Sequence, residues 1–231
     1  MDQPAPPNSL VPNSWDLPTS ITSRLGEVGG NQRAIISDEQ LVLLIHRLPT
    51  IGESERHTIA AWRSPAGIWT TSPKAGGIPV IDEVLEAYES KIDELDTREE
   101  AARRSSEFHN ILEELSPILR AVRGVHRALQ QARLRMPDDR EILLWRDDAA
   151  EIVRAAELLN DDARFGLQYI AAHQAESQAA ASHRLNMLVA IFLPLTALGA
   201  VFGMNLPNGV EDSPLAFVII LVVGIVAGII L

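Results

Sequence analysis

Three kinds of residue in this chain could do chemistry. Carboxylates recur in adjacent pairs along the second half, at Asp138/Asp139, Asp147/Asp148 and Asp161/Asp162. Hard oxygen donors suit magnesium-like cations, although a solvated acidic face is the plainer use of the same residues. An amide, Asn205, stands near the end of a charge-free stretch in the run Gly203-Met204-Asn205. A carboxamide offers a carbonyl oxygen to a hydrated ion without a fixed charge, and Asn is also a common helix C-cap. The histidines His46, His57, His109, His126, His173 and His183 form no i, i+4 pair and no carboxylate-completed zinc cluster. The chain has no cysteine, so thiolate metal sites and disulfides are excluded. No Walker loop, G-x-S-x-G, H-E-x-x-H or Rossmann glycine pattern occurs, and the reading is of a non-enzyme with no cofactor. A net charge of −11 argues against a nucleic-acid partner and is compatible with concentrating cations.

The elements that must position these residues follow from hydropathy. From Leu185 to Val210 there is no charge, and from Ser213 to Leu231 there is none either; only Glu211 and Asp212 interrupt. Each stretch approaches the ~20 apolar residues that span a bilayer core. His183 and Arg184 precede the first span, while the loop carries acids and no Lys or Arg, which places the larger N-terminal part in the cytoplasm. Upstream of the spans, Glu141 to Arg184 is rich in Ala, Leu, Glu and Arg, and no proline occurs between Asp139 and Pro194. One helix of roughly 60 residues, about 90 Å long, is expected to run into the first span. Small residues before the membrane (Ala171, Ala172, Ala175, Ala179 to Ser182) permit close approach of several helices around an axis.

The expected fold class is therefore mainly α and membrane-embedded, with a small α/β cytoplasmic domain and a long stalk helix continuing into the first of two transmembrane helices. Residues 1–30, with Pro4, Pro6, Pro7 and Pro12, read as a disordered tail without the h-region of a signal peptide. Residues 31–79 read as a sheet-containing region, with strands near Ala34–Ile36, Leu41–Ile45, Thr58–Trp62 and Ile68–Thr71. Residues 80–136 carry apolar stripes at three- and four-residue spacing, with Pro117 a candidate kink or break. Met136-Pro137-Asp138-Asp139 is the clear break, either Asp favouring the next helix start. Residues 137–205 form the stalk and first span, 206–213 the external loop, and 214–231 the second span.

The first span reads Ile191-Phe192-Leu193-Pro194-Leu195-Thr196 through to Gly203-Met204-Asn205, followed by a short acidic loop and a second span. That combination closely resembles the CorA family of magnesium and cobalt transporters, including its zinc-transporting branch. The resemblance is strongest over residues 183–231, looser over 80–182, and absent from the sheet region. It implies a funnel-shaped homopentamer of the inner membrane, multi-pass and surrounded by lipid, conducting Mg2+ and also Co2+. Gly203, Met204 and Asn205 would form the selectivity filter at the external mouth. Ala200, Thr196, Leu193, Val189 and Asn186 fall on one helical stripe and would line the pore, with Leu185 near a second constriction. Glu211 and Asp212 would attract cations to the mouth. Asp161 and Asp162 are the first candidates for a regulatory metal site of the kind the family places between subunits, without a residue-by-residue match. A zinc transporter of the same fold and a non-conducting, membrane-anchored helical scaffold stand as rivals.

Overall fold

The computed structural model of the protein describes residues 10–25, 30–49, 57–203 and 213–230. The chain divides into two compact units, residues 1–168 and 169–231.

The first unit begins with a short helix, α1 (Thr19–Leu25), followed by four strands, β1 (Arg33–Ser37), β2 (Gln40–His46), β3 (Thr58–Arg63) and β4 (Trp69–Ser72). The strands form an antiparallel meander in the order β1-β2-β3-β4. Asp38 and Glu39 both adopt positive φ, 50° and 61°, which closes β1 onto β2 through a two-residue turn whose twist suits paired strands. Four antiparallel strands are what the sequence leads one to expect, at nearly the expected places.

β2 decides the layering. Its run Leu41-Val42-Leu43-Leu44-Ile45 is buried at every position, so both faces of the sheet must be covered. Val42 and Leu44 share one face with Ile35 and Ala60, and Ile21 and Leu25 of α1 close over it, with Val11, Trp15, Leu17 and Trp62 around them. Trp15 stacks on Trp62 with ring centroids 5.6 Å apart. For residues 10–25 this corrects the expectation of a disordered tail over residues 1–30. Residues 10–25 are the cover of one sheet face, because a fully apolar β2 would otherwise expose half its side chains to water. Residues 1–9 and 26–29 lie outside the described part.

Helices α2 (Ile78–Ala101) and α3 (Ser105–Arg135) follow, with α3 packed on β1, β2 and α2. Gly77 caps α2 at φ 67°, and a Cβ there would stand 2.5 Å from the Trp69 carbonyl oxygen, so the position demands glycine. Pro117 neither breaks nor ends a helix, since α3 runs through it. Helix α4 (Arg140–Gly203) begins in this unit, with Ile142, Trp145, Ala149, Ile152, Ala156, Leu159 and Ala163 forming its buried stripe. Asp139 accepts a hydrogen bond from the Ile142 N–H at 3.1 Å and pairs with Arg63 of β3, so it is the Asp of the break that caps α4. Trp145 packs edge-on against Trp69 of β4 and donates to Asp82 of α2 at 2.7 Å. Gly166 lets the Phe108 ring lie against α4, where a Cβ would meet Cζ at 2.6 Å.

The second unit holds the remainder of α4 and α5 (Pro214–Ile230). Every residue from Ala171 to Val189 is exposed in the single chain. Among the described residues no helix is long and apolar enough to cross a membrane, α5 being 17 residues long.

Candidate functional site

The stripe expected to line a pore lies on α4, in the second unit. Leu185, Val189 and Leu193 are 62%, 49% and 66% exposed, and Asn186, Thr196 and Ala200 are exposed as well. Exposure does not single out this stripe, because Met187, Leu188 and Phe192 on other faces are uncovered too. What distinguishes it is chemistry. The Thr196 hydroxyl donates to the backbone carbonyls of Phe192 and Leu193, at 2.9 and 3.0 Å. Its proton is thereby committed to the helix, and its oxygen lone pairs remain to accept from water. Pro194 lies inside the helix and lacks the N–H that would return to the preceding turn. A Cβ at Gly199 would meet nothing within 4 Å. Gly203 is the last residue of α4; Met204, Asn205, Glu211 and Asp212 lie outside the described residues.

A second cluster lies wholly within the first unit. The polar face of α2 carries Asp82, Glu86, Glu89, Asp93, Asp96 and Glu100 at alternating four- and three-residue spacing, and all are exposed. The first four of these line a groove of about 560 Å³ against α4, opposite Asp148 and Glu151, with Leu85, Ile92, Ile152, Ala155 and Leu158 as its apolar floor. Arg154 is the cation on its wall among the described residues. Burial first, then the charges of Glu151, Asp147 and Asp82, push the Asp148 carboxyl up from its ordinary value. Near the other end of the stripe, burial and then the charge of Asp162 do the same to Glu99.

The two acidic pairs within α4, Asp147/Asp148 and Asp161/Asp162, are thus divided by the helix, because adjacent residues point about 100° apart. Asp139 is spent on the α4 cap and on Arg63. Asp147 pairs with Arg146 while Asp148 turns to the groove. Asp161 accepts from the Asn160 amide at 3.2 Å, while Asp162 acts on Glu99. Among the described residues no three His, Asp or Glu side chains are grouped so as to hold a metal ion. The α2 stripe was missed in the sequence, although its 4-3-4-3-4 spacing is legible there. Adjacent carboxylates diverge on a helix, whereas those three and four residues apart share a face.

A family model described as "CorA-like Mg2+ transporter protein" matches residues 78–231, two-thirds of the sequence. The chain belongs to the CorA-like family. The solved structure of the CorA magnesium transporter from Methanocaldococcus jannaschii is similar at a TM-score of 0.62 and 12% identity, over 93% of this chain and 81% of that one. The full-length CmaX protein is similar at a TM-score of 0.64 and 14% identity, over 92% and 80% of the two chains. No curated protein matches the sequence. At such identities the likeness is one of fold, and it extends beyond the family match into the sheet region, where the sequence itself showed no resemblance.

Proposed function

We propose that this CorA-like chain is a divalent metal cation transporter or channel of the cell membrane, with Mg2+ as its leading substrate and Co2+ also accepted. Membership of the CorA-like family over residues 78–231 carries this reading. Two further observations support it. The second unit presents uncovered apolar side chains at Leu185, Met187, Leu188 and Val189 on α4 and at Leu215, Val218, Ile219 and Val222 on α5. Surfaces of that extent call for lipid or neighbouring helices. The charge-free stretch that holds this part of α4 also carries the run Gly203-Met204-Asn205 in its sequence.

In this reading the apolar end of α4 and α5 are the two transmembrane helices, and the N-terminal part is cytoplasmic. The chains assemble as a homopentamer around the α4 stripe. Asn205 carboxamides accept hydrogen bonds from the water shell of the ion, which Mg2+ surrenders reluctantly. Thr196 offers a second ring of acceptors, and Leu185, Val189 and Leu193 form apolar constrictions along the stretch that also carries Asn186 and Ala200. Glu211 and Asp212 raise the local cation concentration. No step requires a protein nucleophile or cofactor; the membrane potential drives a divalent cation inward.

Asp161 and Asp162 are proposed as part of a regulatory site. Asp162 with Glu99 supplies hard oxygens whose mutual repulsion a divalent cation would offset. Two carboxylates are a partial shell for such an ion, and water or a neighbouring subunit would complete it.

The test is rescue of a bacterium unable to import magnesium. The wild-type chain is expected to restore growth at low magnesium, and Asn205→Ala to abolish it while the protein still reaches the membrane in the same assembly. Rescue by Asn205→Ala would overturn the filter. Rescue of zinc uptake alone would transfer the reading to the zinc branch, and absence of any metal flux would favour a scaffold.

A further inference from the structure

The first unit carries two charged surfaces of opposite sign on opposite flanks of α4. The acidic one is the groove between α2 and α4. The basic one is a ridge on α3. After Glu114 that helix contains no acidic residue through Arg135. Arg120, Arg123 and Arg127 follow one another at three- and four-residue spacing, all exposed, and Leu134 continues the line at 74% exposure. Arg123 reaches α4 itself, donating to Glu157 at 3.0 and 2.7 Å. Arg120 donates only to the Ser116 carbonyl of its own helix, and neither Arg120 nor Arg127 has an acidic partner among the described residues. Glu157 marks where the ridge meets α4, and Asp148 marks the groove. Nine residues at 100° each bring them roughly 180° apart around the helix.

Two dissimilar, complementary patches on opposite flanks of one element are what a head-to-tail interface requires. Such an interface, repeated with a closing rotation, makes a ring in which every groove is filled and every ridge is used. The groove suits long cationic side chains in two ways. Its acidic rims oppose the guanidinium charge, and its floor of Leu85, Ile152 and Leu158 can receive the aliphatic stems. Leu134 and Leu158, which is 60% exposed, are the apolar groups such a contact would cover.

We infer that the Arg120–Arg123–Arg127 ridge of one subunit docks in the acidic groove between α2 and α4 of the next. The inference rests on the homo-oligomeric reading given under Proposed function, and it specifies which surfaces meet in the N-terminal part. It also gives the groove's surplus negative charge a cationic partner within the assembly, with Arg123 shared between its own Glu157 and the neighbour.

The absence of native cysteine makes the test direct. The full chain in mild detergent, carrying Glu89→Cys and Arg127→Cys together, is treated with a flexible bis-maleimide. A ladder of covalent multimers is expected, whereas each single variant should give none, since like surfaces do not meet. Adding Arg120→Glu to the double variant should lower the yield about fivefold, and adding Glu86→Arg as well should restore it. High salt should lower the yield in the same direction. Restoration by the second reversal excludes misfolding as the cause of the loss. An oligomer by light scattering that gives no ladder, or that cross-links equally through either single variant, would overturn the inference and leave the transporter reading standing. A monomer by light scattering would instead remove the assembly on which both depend.

Discussion

Glu114 and Asp148 show how the same carboxylate group takes opposite electrical roles on one scaffold. Glu114 accepts from both terminal nitrogens of Arg98 at 2.9 and 2.8 Å and lies 3.4 Å from Lys91, tying α3 to α2. The Arg98 hydrogen bonds hold its carboxyl below the ordinary value of 4.5. A depressed carboxylate stabilises the fold above its unfolded pKa, and that contribution is lost as pH falls through the lower folded value. Glu114→Gln is therefore expected to cost about 1 kcal/mol at neutral pH, after allowance for the part-exposed Arg98, and nothing at strongly acidic pH. Urea unfolding at the two pH values checks this. Asp148 has the opposite sign. Its pKa is raised from 3.8, so its penalty is absent below that value and complete once pH passes the folded value. Asp148→Asn should raise the melting temperature at neutral pH and leave it unchanged in acid. Tyr88 is fully buried and donates to the carbonyls of His46 and Arg47 at 3.1 Å each. Tyr88→Phe should lower stability by about 1–2 kcal/mol, read by the same denaturant series.

At the scale of elements, the first unit is tied together through the start of α4. Asp139 caps the helix and pairs with Arg63, and Trp145 lies between Trp69 and Asp82, so β3, β4 and α2 all converge there. Asp139→Ala should cost about 1–2 kcal/mol, whereas Asp138→Ala, which removes neither contact, should be close to neutral. Differential scanning calorimetry distinguishes them. At Gly166, alanine would drive a methyl into the Phe108 ring and should cost about 1–3 kcal/mol, with Gly166→Ala/Phe108→Leu recovering part of the loss. The strands and the break before α4 were legible because turn residues and periodicity are local signals. α1 was not, since its Pro- and Ser-rich surroundings suggest disorder. Only the apolar run of β2, read as a demand for cover on two faces, points to it.

For the whole molecule, the quantities that matter are those one chain does not contain. Every residue from Ala171 to Val189 is exposed in the single chain. In the transporter reading, neighbours pack against this stretch, and regulation follows from how the ion biases their arrangement. Magnesium held by Asp162 and Glu99 would have to bind the closed assembly more tightly than the open one. Asp161→Asn with Asp162→Asn should then keep uptake active at high internal magnesium, where the wild type is inhibited. Flux into proteoliposomes loaded with magnesium measures it, and unchanged inhibition would leave these carboxylates as solvent-facing groups. Assembly should be unaffected by this substitution, because neither residue lies on the Arg ridge or among the groove-lining side chains.

By itself the sequence determined the antiparallel strands, the long helix, the charge-free segments and a family likeness centred on Phe192 to Asn205. These follow from composition and short-range period, which a chain carries wherever it folds. The tertiary structure decided which residues with similar local patterns share a surface. It turned residues 10–25 into the cover of a sheet, spent Asp139 on a cap, and split the two acidic pairs of α4 between two directions. It also gathered Asp82, Glu86, Glu89 and Asp93 opposite Asp148 and Glu151. Those outcomes depend on contacts between segments distant in sequence, where a helix rotates its neighbours by 100° per residue and the partner across a groove is fixed only when two helices pack.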